Sequence, residues 1–77
     1  MPIEKFCREL GRKIKELRKR KKISQKKLAG LIDCDERTIQ RIENGTQATT
    51  IPKIDKIAQV LGSDIEMFVR VVTEKIN

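Results

Sequence analysis

The sequence contains no histidine, tryptophan or tyrosine, and its only aromatic residues are Phe6 and Phe68. With so few aromatic side chains on which bases could stack, the chain is poorly suited to single-stranded nucleic acid or to RNA loops. Histidine is the commonest general base and metal ligand, and no other nucleophile-and-base pair or metal-ligand cluster stands out. The composition therefore argues against an enzyme, and we predict no metal site and no cofactor.

Cysteine is also scarce, and long apolar runs are absent. Cys7 and Cys34 are far apart and form no Cys-x-x-Cys motif, so we expect two small buried thiols in a reducing compartment. The chain has neither the apolar segment of a signal peptide nor a run long enough to cross a membrane. The sequence therefore predicts a cytoplasmic protein that does not enter a membrane.

Positive charge is abundant and concentrated in the first third of the chain. The 77 residues carry 18 lysines and arginines against 11 acids, a net charge of +7. Residues 1–27 alone hold twelve of these cations and only three acids, and Lys19–Lys22 is the densest run. Such a concentration attracts a polyanion by releasing its counterions. The alternative for the run is a solubilising helix end whose cations complement the helix dipole.

Apolar residues recur every three or four positions along most of the chain, which predicts an all-α fold. A single domain over residues 1–77 is expected to have helices at about residues 4–21, 25–32, 36–44, 51–61 and 64–75. The first helix should bury one stripe, namely Ile3, Phe6, Cys7, Leu10, Ile14 and Leu17. The second should bury a face made by Leu28, Leu31 and Ile32. Gly11 interrupts the first helix and indicates either close packing or a local weakness.

The segment from Ser24 to Gly45 predicts two short helices joined by a turn too tight for them to run in line. Ser24 and Asp35 are candidate N-caps, and Gly45 supplies the left-handed conformation that ends the second of these helices. At about 100° per residue, Ile39 and Ile42 point inward. The residues that share the outward arc are Glu36, Arg37, Gln40, Arg41 and Asn44.

This outward arc has the chemistry that reads base edges in a DNA major groove. Arginine binds guanine through two hydrogen bonds, glutamine or asparagine binds adenine, and glutamate accepts from cytosine. Charged residues on an outward helix face are nevertheless the rule in proteins, so an ordinary solvated face is the alternative.

From about Leu10 to Phe68 the chain resembles the helix-turn-helix domain of the phage-repressor and Cro type, also called lambda-repressor-like or XRE. The resemblance is carried by short segments in matching order: Ile14-Lys15-Glu16-Leu17-Arg18, Ser24-Gln25, Leu28-Ala29, Thr38-Ile39, Ile42-Glu43-Asn44-Gly45, Ile57-Ala58 and Leu61-Gly62. It implies a compact five-helix fold with the helix-turn-helix at about residues 24–45. Small members of this type include phage repressors, controllers of restriction and modification genes, and toxin-neutralising regulators.

The resemblance also implies roles for individual residues. The positions that meet base edges are occupied here by Glu36, Arg37, Gln40 and Arg41. Contacts with the DNA backbone are expected from Ser24, Gln25, Lys22, Lys27, Thr38, Asn44 and Thr46. Thr46 lies in a loop that could equally be a passive connector. Lys27 stands where the family often has an acid.

Glu36 departs from what a DNA-facing helix tip would favour, because phosphate repels a carboxylate. It would have to meet a cytosine amine or pair with Arg37 or Gln40.

The resemblance also implies that Arg18 of the first helix pairs with Glu43, on the helix predicted over residues 36–44. Such a salt bridge would fix the angle between the two helices.

The last helix has an apolar stripe longer than a small core needs. We expect Phe68, Val72 and Ile76 to lie partly in a symmetric interface, although a wholly intramolecular packing is the alternative. The resulting prediction is a homodimeric transcription regulator that binds double-stranded DNA at a near-palindromic operator, with no small-molecule effector site evident. The alternative is an antitoxin-type module that binds a toxin through its last helix.

Overall fold

The computed structural model of the chain describes residues 3–76, with side chains described as far as Glu74. Its five helices are α1 (Ile3–Arg20), α2 (Gln25–Leu31), α3 (Glu36–Glu43), α4 (Ile51–Val60) and α5 (Ile65–Ile76). No strand occurs within the described range. The predicted five-helix, all-α fold is confirmed, and every helix begins and ends within one residue of its predicted position.

The first four helices all end in the same hydrogen-bonded motif. Each is followed by a residue with positive φ: Lys22 (58°), Asp33 (60°), Gly45 (74°) and Gly62 (80°). The amide after each of these residues donates back to a carbonyl in the last turn, as Cys34 does to Ala29 at 2.9 Å and Ser63 to Ala58 at 2.8 Å. This Schellman motif satisfies carbonyls that a helix end leaves unpaired, and it turns the chain sharply.

In three of the four connections the next helix begins almost at once, because its N-cap lies two residues after the residue with positive φ. The repeated pattern is a left-handed residue, one half-buried residue and an N-cap: Lys22-Ile23-Ser24, Asp33-Cys34-Asp35 and Gly62-Ser63-Asp64. Only the connection between α3 and α4 is longer, and Thr50 caps α4 by accepting from the Lys53 amide. These local signals explain why the helix bounds could be read from the sequence.

The core is almost entirely aliphatic. Its buried members come from all five helices and their caps: Leu10, Ile14, Leu28, Ala29, Ile32, Ile39, Ile42, Ile54, Ile57, Ala58, Leu61, Phe68 and Val72. Phe6, Leu17 and Ile65 pack against this cluster while remaining half-buried.

Two residues that were predicted to be buried are exposed. Leu31 is 51% exposed and Ile3 is 69% exposed. The buried arc of α2 runs from Leu28 through Ile32 to Ala29, about 100° wide, and Leu31 lies about 60° outside it. Ile3 lies in the first turn of α1, beyond the half-buried Phe6.

The prediction of two buried thiols also needs correction. Cys7 and Cys34 are free and half-buried rather than fully enclosed. Desolvation at the tight turn between α2 and α3 still raises the pKa of the Cys34 thiol above its usual value.

The predicted interface on the last helix is corrected by the burial of its side chains. Phe68 is 2% exposed and Val72 is 1% exposed in the single chain, because both complete the core against α1 and α4. Neither is left free for a second copy. Ile76 lies outside the residues whose side chains are described. Among the α5 side chains that the structure describes, Met67 is the large apolar residue that remains open, at 50% exposure.

Gly11 marks the point where α1 crosses the end of α3. A Cβ atom at this position would lie 2.3 Å from the Ile42 carbonyl oxygen and 2.6 Å from that of Glu43. Both atoms belong to the backbone and cannot turn aside as a side chain could. Close packing, rather than a local weakness, is therefore the reason for glycine inside this helix.

We expect Gly11→Ala to destabilise the fold by about 1–3 kcal/mol or more, because α1 and α3 must separate to admit the methyl group. Gly30→Ala is the matched control, since a Cβ on this helical glycine would meet no atom within 4 Å. That control should be neutral or stabilising by up to about 1 kcal/mol. Chemical denaturation of both variants measures the difference, and equal stabilities would contradict the close-packing argument.

Candidate DNA interface

The two short helices α2 and α3 are each fixed at their start by a side-chain cap. The Ser24 hydroxyl oxygen accepts from the Lys27 amide at 2.9 Å. Asp35 accepts from Thr38 twice, from the amide at 3.3 Å and from the hydroxyl at 2.6 Å. The hydroxyl bond is the main reason that the pKa of Asp35 lies below its usual value. The hydroxyl of Thr38, which is predicted to touch phosphate, therefore already donates a hydrogen bond to Asp35.

One face of α3 packs inward and the other is open to solvent. Ile39 and Ile42 are 0% and 2% exposed, so the inward face is sealed. The side chains predicted to meet base edges are all exposed: Glu36, Arg37, Gln40 and Arg41. Within residues 3–74 none of the four side chains has an ion pair or hydrogen bond, so the possible pairing of Glu36 with Arg37 or Gln40 does not occur there.

Apart from Thr38 near the start of α3, the residues predicted to contact the DNA backbone lie at two separate places. Lys22, Ser24, Gln25 and Lys27 surround the beginning of α2, and all but the half-buried Gln25 are exposed. Asn44 and Thr46 lie beyond the end of α3 and are also exposed. The Thr46 hydroxyl donates to the Arg41 carbonyl at 3.2 Å, which holds the start of the following loop against the helix.

A buried ionic network connects α3 to the rest of the domain. Arg18 donates to Glu43 through Nε at 2.7 Å and through a terminal nitrogen at 3.2 Å. The Glu43 side chain is only 1% exposed and that of Arg18 is 10% exposed. Arg18 also donates to the Ile23 carbonyl at 2.9 Å. The pair therefore links α1, the turn that precedes α2, and α3.

Gln25 completes this network. Its side-chain amide Nε2 donates to Glu43 Oε1 at 3.0 Å. From the sequence, Gln25 is expected only to contact phosphate; its bond to Glu43 has no sequence signal, because the two residues are related by no helical spacing. The amide nitrogen carries a second N–H, so the bond to Glu43 leaves one donor for another partner. Gln25 is thus a structural link between α2 and α3 as well as a candidate contact.

We expect Glu43→Ala to lower the free energy of unfolding by about 3–5 kcal/mol, because it leaves the Arg18 charge buried without a partner. Glu66→Ala is the matched control: Glu66 pairs with Arg70 at 3.3 Å, but its side chain is 81% exposed. Removing that surface pair should cost about 0.5 kcal/mol or less. Thermal and urea unfolding of both variants measures the difference, and a Glu43→Ala melt close to that of the parent would contradict the buried pair.

Two capped helices packed together across a tight turn, one with a sealed face and an open polar face, are the arrangement of a helix-turn-helix protein. Comparison with known families agrees: the helix-turn-helix family, of the XRE type, matches residues 14–68. The chain belongs to this family, whose domains bind DNA.

A comparison with solved structures supports the fold. The chain is similar to the clp gene regulator ClgR from Corynebacterium glutamicum, with a TM-score of 0.84 over 91% of this chain and 74% of that one. The two sequences are 14% identical, so the likeness concerns the fold. A comparison with curated proteins found no significant sequence match. In the described part of the chain, no helix is long and apolar enough to cross a membrane.

Proposed function

We propose that the protein is a homodimeric transcription regulator that reads a near-palindromic operator by placing one α3 helix of each copy in the major groove. The observation that carries this proposal is the open arc of Glu36, Arg37, Gln40 and Arg41 above a sealed and ionically anchored inner face. An anchored helix presents its side chains in one arrangement, which is what discrimination between base pairs requires.

Within this arc we assign the two arginines to guanine, Gln40 to adenine and Glu36 to the amine of cytosine. Glu36 lies at the start of α3 and has no partner in the described structure, so its carboxylate is available as an acceptor. Phosphate would repel it at any position away from a base edge. Its presence therefore favours operators that place a cytosine opposite the start of the helix.

Backbone contacts hold the helix in the groove. The residues around the start of α2 would bind phosphates on one side of the groove. Asn44 and Thr46 would bind phosphates on the other side. A pair of such units on successive major-groove faces is separated by about 34 Å of DNA, one helical turn. An eight-residue reading helix reaches only a few base pairs, so a second copy is the simplest source of a longer site. The exposed region around Met67 on α5 is available for that copy.

Selection of bound duplexes from a random pool, at two salt concentrations, tests the proposal. Recovery of a two-fold symmetric motif, together with a dimeric mass in sedimentation equilibrium, is the expected result. A selected motif without two-fold symmetry would contradict the proposal that the protein binds as a dimer. A protein that stays monomeric, and binds DNA tightly only with a second protein present, would favour the antitoxin-type alternative.

Base reading and backbone binding should respond differently to substitution. We expect Arg37→Ala to relax the preference at one or two base pairs, at a cost of about 1–3 kcal/mol on the selected site. Lys22→Ala should instead weaken binding to the selected site and to random DNA alike, and should reduce the salt slope by about 1. Binding titrations on both duplexes measure these effects. An equal loss on the two duplexes for Arg37→Ala would refute its base-reading role.

Lys22 also offers a test in which stability and binding change in opposite directions. It adopts φ 58°, a conformation that costs an L-residue about 1–2 kcal/mol and costs glycine little. We expect Lys22→Gly to raise the free energy of unfolding by up to about 1 kcal/mol while weakening DNA binding. Asp33→Gly, at φ 60° in the same motif, is the control that should stabilise without weakening binding. If Lys22→Gly binds DNA as tightly as the parent, the assignment of Lys22 to the interface is wrong.

A further inference from the structure

The outer face of α1 carries a straight line of positive charge that the helix-turn-helix does not use. Its five members are separated by three, four, three and four residues: Lys5, Arg8, Arg12, Lys15 and Lys19, called here the α1 stripe. All five are exposed. At about 100° and 1.5 Å per residue they fall within about 80° of one another and extend over about 21 Å. No apolar residue of α1 lies within this arc.

Most of the charge in the α1 stripe is not neutralised by neighbouring acids. Arg12 pairs with Glu9 at 3.1 Å, whereas the other four members form no ion pair within the described chain. Glu4 borders the stripe near the start of the helix. The third acid on this helix, Glu16, pairs with Lys13 at 3.5 Å and with Arg20 at 3.1 Å, both of which lie on its side away from the stripe.

Two members of the α1 stripe, Arg8 and Lys19, adjoin the proposed backbone contacts. A Cβ on Gly45 would lie 2.9 Å from the Arg8 Cα, so Arg8 lies against the residue that precedes Thr46. The Lys19 carbonyl accepts from the Lys22 amide at 3.0 Å, in the turn that leads to Ser24. The stripe is therefore continuous with the proposed DNA interface rather than isolated from it.

We propose that the α1 stripe binds the phosphate backbone of the same DNA, beyond the base pairs that α3 reads. This inference rests on the proposed function and extends the contact outward from each half-site. An unbroken cationic face without apolar residues suits a phosphate backbone, since contact with a protein partner would be expected to bury an apolar centre. Each phosphate contact contributes to affinity through counterion release and reads no sequence.

The test compares two duplexes that carry the same selected operator, one ending at its outer base pairs and one extended by a turn of random-sequence DNA on each side. The parent protein should bind the extended duplex more tightly and with a steeper salt slope. Lys5→Gln/Lys15→Gln/Lys19→Gln should lose about tenfold or more on the extended duplex, and its salt slope there should fall by about 2–3. On the short duplex it should bind within about threefold of the parent.

The control variant removes the same amount of charge elsewhere: Lys13→Gln and Arg20→Gln on the opposite edge of α1, with Arg70→Gln on α5. It should keep the preference for the extended duplex, which separates position from net charge. Equal affinity of the parent for both duplexes would overturn the inference. It would also be overturned if the stripe variant lost equal affinity on both duplexes, or if it kept the parent's preference for the extended duplex. In each of these outcomes the operator is still bound, so the proposed function stands. Failure of the parent on both duplexes would instead overturn the proposed function.

Discussion

The orientation of α3 depends on the buried ion pair between Arg18 and Glu43. Three structural elements meet at the Glu43 carboxylate, because Arg18 comes from α1, Gln25 from α2 and Glu43 itself from α3. Removing two charges from water is expensive, and an apolar pair of similar size could be at least as stable. An apolar contact would nevertheless tolerate rotation and sliding. The paired guanidinium and carboxylate allow one geometry, which makes the pair suited to fixing direction.

The contact at Gly11 supplies the second constraint. With no Cβ on Gly11, the α3 backbone approaches α1 closely enough for the Glu43 side chain to reach Arg18, two helical turns further along. The position of the end of α3 is thus fixed by backbone contact and its rotation by charge pairing. A recognition helix held in this way loses little conformational freedom on binding, so more of the interaction energy with DNA remains as affinity.

Local signals in the sequence determined what could be predicted. Caps such as Ser24 and Asp35, and Gly45 in its left-handed turn, act within a few residues, so the helix bounds followed from them. The open arc on α3 followed from helical periodicity. Lys22 and Asp33 adopt the same left-handed conformation without being glycine. Each is followed two residues later by the N-cap of the next helix, so the preceding helix still ends there.

Features that depend on how helices cross could not be derived in the same way. The exposure of Leu31, the complete burial of Phe68 and the bond from Gln25 to Glu43 all depend on which neighbour covers which face. Apolar residues outnumber the positions that a small core can enclose, so periodicity alone cannot tell which of them remain outside. The Arg18–Glu43 pair was expected only because the chain resembles a known family, since no spacing rule connects residues on different helices.

The two faces of the first helix carry different chemistry. Its inner face carries Gly11 and Arg18 and sets the geometry of α3, while its outer face carries exposed cations whose number hardly affects packing. Substitutions on the inner face change stability and helix orientation together. Those on the outer face leave the packing unchanged and alter the positive field around the protein, which acts over about 8–10 Å at physiological salt. Under the proposed mode of DNA binding, discrimination between sequences and overall strength of binding can therefore vary independently in this small fold: the first would depend on an arc of four side chains and its anchor, the second on charge distributed along α1.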